Sequence, residues 1–328
     1  MQIQNPVNFK FSQQTQKSLC CPKCGSQLET TDANLRCRDN RCQATFPVIN
    51  SIPILIDEVS SIFSISDFLD FDNATLKPKS KIERLIIDLL PGISLNLKAK
   101  QNFRDFAKIL LNANPHPKVL VIGGSVVGQG IEALSQNPEI EIVEIDVAFG
   151  AGVSVICDAH SLPFTDACFD GVIVQAVLEH VVDPIRCVAE IHRVLKPNAL
   201  VYAETPFMQQ VHLGRYDFTR FTHLGHRRLF RKFTEVSSGA VCGPGMALAW
   251  SYQYFLLSLF QKEAIRKIVK IFARVTSFWL PYLDYLIINK PGAYDAASGY
   301  YFMGKKSDVE LGDRELIKQY RGTQFASF

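Results

Sequence analysis

The chain has no long run of like charge, and its 35 basic and 32 acidic residues leave a formal net charge of only +3 over 328 residues. That balance excludes an electrostatic tail and gives no global basic surface, so any cation-rich patch must be local. The opening stretch MQIQNPVNFKFSQQTQ lacks both the apolar core and the small-residue cleavage site of a secretory leader. We therefore expect a reducing, cytoplasmic setting, in which nine cysteines serve as metal ligands or buried small hydrophobes rather than disulfides. A membrane-spanning segment is also missing where one might be sought. MALAWSYQYFLLSLF, Met246 to Phe260, is uncharged but short of the ~20 residues that cross a bilayer, and Gly243-Pro244-Gly245 blocks its extension backwards. What remains is an ordinary globular composition, 47% hydrophobic and 20% charged, long enough for a sizeable core and about two domains.

Four cysteines form a pattern. CPKCG places Cys21 and Cys24 two residues apart around a tight turn, and RCRDNRC supplies Cys37 and Cys42. Two such pairs on short hairpins give the four thiolates of a zinc ribbon, although Cys20 competes with Cys21 for its place. FPVINSIPILI, Phe46 to Ile56, follows as a strand-like run whose two prolines confine it to edges and turns. The polar, aromatic stretch SSIFSISDFLDFDNATLKPKS reads as a linker or flap. Helical spacing then appears at Ile82, Leu85, Ile86, Leu89 and again at Phe103, Phe106, Ala107, Leu110.

From Lys118 short apolar strands alternate with helices: Val119–Ile122, a helix through Ile131 to Leu134, Ile140–Ile145, Val153–Cys157, Gly171–Val174, a helix at Pro184–Leu195, and Leu200–Ala203. This alternation predicts an α/β fold with a parallel sheet covered on both faces and ligands at the carboxyl ends of its strands. The loop VLVIGGSVVGQG, Val119 to Gly130, sits at such an end, but Ser125 stands where a G-x-G-x-x-G pattern has its second glycine and Val121 where many nucleotide-binding strands carry an acid.

The segment GVSVICDAHSLPFTDACFDGVIVQAVLEHVVDPIRCVAEIHRVLKPNALVYAETP resembles the class I S-adenosylmethionine-dependent methyltransferases of the branch that acts on small molecules. The resemblance spans Lys118 to Pro206 and rests on an ordered series: an acid after the second strand, Asp-Ala after the third, then L-P-F, F-D, L-E-H and R-V-L-K-P. It implies a Rossmann-like sheet ending in an antiparallel strand. It also implies that Gly123, Gly124, Ser125 and Gly128 face the methionine and ribose of the cofactor and that Asp146 accepts from the ribose hydroxyls. Asp158 with Ala159 would meet the adenine, and Gln175 and Leu178 would line the exit where the methyl emerges. The amino-terminal part is similar to zinc ribbons attached to certain bacterial rRNA guanine methyltransferases and, more weakly, to small zinc-binding activator subunits of tRNA and rRNA methyltransferases.

ETPFMQQVHLGRYDFTRFTHLGHRRLF, Glu204 to Phe230, crowds histidines, arginines and aromatics at the expected mouth of the site. A hydroxyl acceptor needs its proton removed, and His212, Asp217 and His223 are the candidates, with His180 after Glu179 as a further one and Arg215, Tyr216 and Arg220 orienting the acceptor. His226, Arg227 and Arg228 read instead as a helix N-terminus capped by Thr222 with solvated arginines beyond it. Phe233–Ser238 and Gly299–Met303 read as the last antiparallel pair, separated by an apolar insertion in which Lys262, Arg266, Lys270 and Arg274 recur every four residues. That insertion either covers the active site or lies on a membrane surface, giving peripheral contact through residues 246–280.

The expected organisation is thus a zinc ribbon over residues 1–58, a linker and helical flap over 59–116, the methyltransferase core over 117–240, the insertion over 241–297, and the last strand and tail over 298–328. The expected activity is S-adenosylmethionine-dependent O-methylation of a small or lipid-linked metabolite, a glycan or polyprenyl-type intermediate, with one structural zinc and a ribbon available for a protein partner. An rRNA guanine acceptor is the alternative, disfavoured because basic residues are not concentrated in the ribbon. A dinucleotide dehydrogenase and an inactive methyltransferase-like scaffold are the other readings.

Overall fold

The computed structural model describes residues 9–31, 34–69, 90–126 and 128–323. The helical spacing predicted from Ile82 to Leu89 lies outside them. The strands run β1 (Leu28–Thr30), β2 (Asn34–Cys37), β3 (Thr45–Ile49), β4 (Ile52–Leu55), β5 (Lys118–Ile122), β6 (Glu141–Asp146), β7 (Val153–Cys157), β8 (Phe169–Gln175), β9 (Leu195–Pro206), β10 (Phe233–Cys242) and β11 (Gly299–Lys306). The helices that position the site are α1 (Ala99–Ala113), α2 (Pro184–Val194), α3 (His223–Leu229), α4 (Pro244–Ser258) and α5 (Glu263–Ser277).

All described strands join one sheet in the order β1-β2-β3-β4-β7-β6-β5-β8-β9-β11-β10. From β4 to β9 the pairing is parallel, and β11 enters antiparallel between β9 and β10. The sheet is therefore the predicted Rossmann-like one, parallel with an antiparallel end. Its central strands, KVLVI of β5 and VSVIC of β7, are buried along their whole length, as strands covered on both faces must be. The spacing at Phe103, Phe106, Ala107 and Leu110 does form a helix, α1, whose apolar side packs on Val119, Val121 and Tyr202.

The run from Phe46 to Ile56 differs from the expected edge strand. It breaks at Asn50 and Ser51, both with positive φ (49° and 65°), into the hairpin β3–β4. β4 then pairs with β7 inside the sheet, so the amino-terminal strands extend the core sheet directly. The prolines are tolerated for a local reason: Pro53 lies opposite Val48, one residue before pairing with β7 begins at Ile54, so its missing N–H removes no bond to β7.

The ordered motifs of the core turn out to hold one another. Arg193 of R-V-L-K-P donates to the carbonyls of Leu162 and Phe164 in L-P-F and to Asp166 and Glu190. Lys196 pairs with Asp170 of F-D at 2.8 Å, and that carboxylate also accepts from the Lys118 amide at 2.9 Å where β5 begins. These cations lock the ends of β5 and β8 and stay away from the carboxyl edge of the sheet.

Candidate active site

Parallel pairing of β5 with β6 and β8 puts their carboxyl ends on one edge, and the turns leaving them build the site. The loop after β5 is pinned to β6. The amides of Gly123 and Gly124 both donate to the Ile145 carbonyl, and that of Ser125 donates to the Asp146 carboxylate at 2.8 Å. Gly123 has φ +88°, and a Cβ there would reach within 2.4 Å of Val177, so glycine is required. Gly124 lies flush on Glu144 and Gly128 on Gln175, where a Cβ would come within 2.7 and 2.0 Å. Ser125 is not among the positive-φ residues, so its side chain sits where the backbone makes no demand for glycine. Val121 is buried among apolar neighbours that include Ile131 and Ile173.

Asp158 is engaged from within the chain. Its carboxylate accepts from the Ser61 hydroxyl and from the backbone and ring of His160, which together hold it below the usual carboxylate range against the opposing effect of its burial. Ala159 beside it is buried. Gln175 reaches the Gln129 carbonyl and donates at 2.9 Å to Glu204, a buried carboxylate that also accepts from Asn96 and Tyr202. The space enclosed beneath the loop, lined by Gly123, Gly124, Gly128, Glu144 and Gln175, is about 40 Å³.

At the end of β8, Ala176 adopts φ +53° and turns the chain sharply, burying Leu178 and directing Glu179 and His180 to the site edge. Backbone strain of this kind in a residue other than glycine persists only where its surroundings enforce it. Glu179 is completely buried, and neither carboxylate oxygen has a hydrogen-bond partner; burial raises its pKa to about 8. The amides of Phe218 and Thr219 donate to its backbone carbonyl, which brings the segment after β9 onto the same turn. His180 and His212 meet edge to face with their Nε2 atoms 3.1 Å apart. Asp217 lies next to them but is clamped by two hydrogen bonds from Arg220, which hold its carboxyl down at about 2. Tyr216 contributes its carbonyl to His180 and stacks on Phe63.

His180, His212 and Asp217 therefore come together, and His223 does not join them. The His223 ring is buried against Tyr294 and Tyr300 with neither nitrogen hydrogen-bonded, and burial lowers its pKa to about 4. His226 is buried likewise, and Thr222 caps α3 as expected, but Arg227 is not solvated: it is buried, donates to the Phe230 and Phe233 carbonyls and pairs with Glu235. Three contributors were not named among the site residues from sequence. Glu179 was visible only as part of L-E-H, while Ser61 and Phe63 came from a stretch read as linker.

The sulfurs of Cys21, Cys24, Cys37 and Cys42 gather within 4.8 Å of one another, with Cys21–Cys42 at 3.8 Å and Cys24–Cys37 at 3.4 Å. Cys20 stays out of this cluster, its amide bonded to the Pro163 carbonyl.

Residues 123–203 match the family model described as a methyltransferase domain. The chain carries a methyltransferase domain. S-adenosylmethionine is the donor that such a domain uses, and the sheet, parallel with an antiparallel end, is of the kind that the resemblance implied. No curated protein sequence is significantly similar to the chain. Among solved structures, the chain is similar to a putative sarcosine dimethylglycine methyltransferase from Galdieria sulphuraria at 14% identity, covering 66% of this chain and 93% of that one with a TM-score of 0.41. A phosphoethanolamine N-methyltransferase 2 from Haemonchus contortus in complex with S-adenosylmethionine is similar at 17% identity, covering 62% and 52% with a TM-score of 0.38.

The insertion of the methyltransferase domain adjoins the site through α4. Trp250 lies against His212 with ring centres 6.5 Å apart, Ser251 accepts from Gln210, and Tyr254 donates to the Val211 carbonyl. α5 packs on α4 through Ala273 and Ser277, and Arg266 donates to the carbonyls of Leu257 and Phe260. Its apolar stripe, Ile265, Ile268, Phe272 and Val275 at i, i+3, i+7 and i+10, is exposed on the other side. Trp279, Tyr282, Leu283, Tyr285 and Leu286 extend that exposed surface. Within the insertion α4 thus lies on the site, whereas α5 keeps its apolar side exposed. No described helix is long and apolar enough to cross a membrane.

Proposed function

We propose that this chain transfers a methyl group from S-adenosylmethionine to a hydroxyl of a small or lipid-linked acceptor, a glycan or polyprenyl-type intermediate, presented at a membrane surface. When bound, the donor supplies an electrophilic methyl on a sulfonium. Gly123, Gly124, Ser125 and Gly128 would border its methionine and ribose, and the Asp146 carboxylate, already oriented by the Ser125 amide, would accept from the ribose. Asp158 takes the adenine only if Ser61 releases it, so cofactor entry would displace the segment that carries Ser61 and Phe63.

The observation that carries the acceptor class is the cluster of Glu179, His180 and His212 beside α4, on an insertion whose next helix turns its apolar stripe outward. A hydroxyl must lose its proton as it attacks, and a carboxylate and two imidazoles at the methyl exit suit that need. An exposed apolar face of this extent marks a membrane or protein contact. The exposed Lys262, which caps the amino end of the helix, and the rim of Trp279, Tyr282 and Tyr285 favour an anionic bilayer, with the helix lying in its interface. Four thiolates spaced like ligands on one tetrahedral ion, for which a Zn–S bond near 2.3 Å implies sulfurs about 3.8 Å apart, support a structural zinc in the ribbon.

The test is transfer of labelled methyl from S-adenosylmethionine into separated lipid, glycan and RNA fractions of the source cell. Label in lipid or glycan that falls with His212→Ala supports the reading; label confined to RNA replaces it with the nucleic-acid alternative.

A further inference from the structure

Both imidazoles at the acceptor site have their Nδ1 side committed to acceptors. His180 Nδ1 donates to the Tyr216 carbonyl at 2.8 Å, and His212 Nδ1 faces the Gln210 carbonyl at 3.3 Å and Asp217 Oδ2 at 3.5 Å. With the ring proton on Nδ1, each Nε2 presents a lone pair, and the two lone pairs converge 3.1 Å apart. The carboxylate of Glu179 approaches from beneath, 3.7 Å from one Nε2 and 3.8 Å from the other, fully buried and without any hydrogen-bond donor. Three groups able to offer an electron pair therefore face one point. A buried carboxylate without a hydrogen-bond donor is held as the anion where a cation meets it and otherwise takes up a proton.

We propose that Glu179, His180 and His212 bind a divalent transition-metal ion. Ligands on an ion with bonds of about 2.0–2.1 Å lie roughly 3.3 Å apart in a tetrahedron, close to the separations here. Two imidazoles and one carboxylate select a first-row transition ion over magnesium or calcium, and leave positions open on the side of the exposed His212 ring. Asp217, kept anionic by Arg220, and the Tyr216 and Gln210 carbonyls orient the rings, the outer-shell arrangement that metal-bound histidines require. This site is distinct from the four cysteines, which offer only sulfur.

The role of the ion rests on the methyl-transfer reading, in which it replaces the two imidazoles and the carboxylate as the group that activates the hydroxyl, whereas its presence does not. Ligated to the acceptor oxygen, the ion lowers the pKa of the hydroxyl. The proton then passes to water, the oxygen forms the new C–O bond as the C–S bond breaks, and the sulfur keeps the electron pair and leaves as a neutral thioether.

The experiment is a titration of the full chain, its ribbon already filled with zinc, with Co²⁺ followed by absorption. The expected result is one further equivalent with the weak d–d bands of a nitrogen–oxygen site and no thiolate charge transfer. Its affinity should fall at least tenfold in His212→Ala, whose ring is partly exposed, and in the isosteric Glu179→Gln. Absence of such an equivalent in the wild type, or binding unaffected by either substitution, overturns the proposal. Cobalt bound as expected with no methyl transfer to any fraction would leave the ion and remove the reaction assigned to it.

Discussion

Replacing Ile268, Phe272 and Trp279 together by serine should abolish most membrane association while leaving the fold intact. The three side chains are 67%, 55% and 51% exposed and none belongs to the buried core, so the fold should survive their removal. Full burial of such a side chain is worth about 1.5–3 kcal/mol, and the exposed half that a bilayer would cover therefore contributes about 1 kcal/mol each. The triple variant loses about 3 kcal/mol, roughly a hundredfold in partition coefficient. Cosedimentation with vesicles containing anionic phosphatidylglycerol measures this, and circular dichroism with thermal melting verifies that the variant folds. Binding in the wild type should also weaken with salt, because the basic residues of α5 act through screened charge. Equal partitioning of wild type and triple variant, or no vesicle binding by either, would refute the reasoning and return the outward stripe to a protein contact.

Metal analysis of the purified chain should find zinc that is lost when Cys24 and Cys42 are both changed to serine, and retention of that zinc would remove it from the ribbon. Arg193→Ala strips hydrogen bonds from the Leu162 and Phe164 carbonyls and should destabilise the chain by about 3 kcal/mol, read as a lowered denaturant midpoint. Acid should unfold the protein early. Burial depresses His223 to about 4 and His226 to about 3, so the unfolded chain binds their protons below its own pKa near 6.5 while the folded chain does not. Stability is retained above that value and lost as pH falls below it, by on the order of 2 kcal/mol per histidine at pH 5. His226→Phe should flatten that slope in denaturation series at stepped pH, and an unchanged slope would show that the ring is protonated in the fold.

The parallel core was legible because strands such as VLVI, Val119 to Ile122, are apolar at every position, a signal that needs no partner to be read. The damaged loop was legible only in part. Sequence shows that Ser125 replaces a glycine, but only the backbone shows that Gly123 carries the positive φ and Ser125 does not. The break of Phe46–Ile56 into two strands depends on positive φ at Asn50 and Ser51, which no apolar pattern encodes. Glu179 escaped notice because its importance lies in complete burial without a partner, a property of surroundings contributed by residues 212–220. The contact of Ser61 with Asp158 spans 97 residues of chain and has no local signature. In α5 the alternation of basic and apolar positions was plain, yet which side faces the protein was fixed only by Ala273 and Ser277 against α4.

Calorimetric titration of the purified chain with S-adenosylmethionine tests the central claim most directly. The account predicts saturable binding in the micromolar range, competition by S-adenosylhomocysteine, no response to NAD, and a loss of about 2 kcal/mol, near thirtyfold, in Asp146→Ala. No binding by the wild type, or an unchanged dissociation constant in Asp146→Ala, would contradict it.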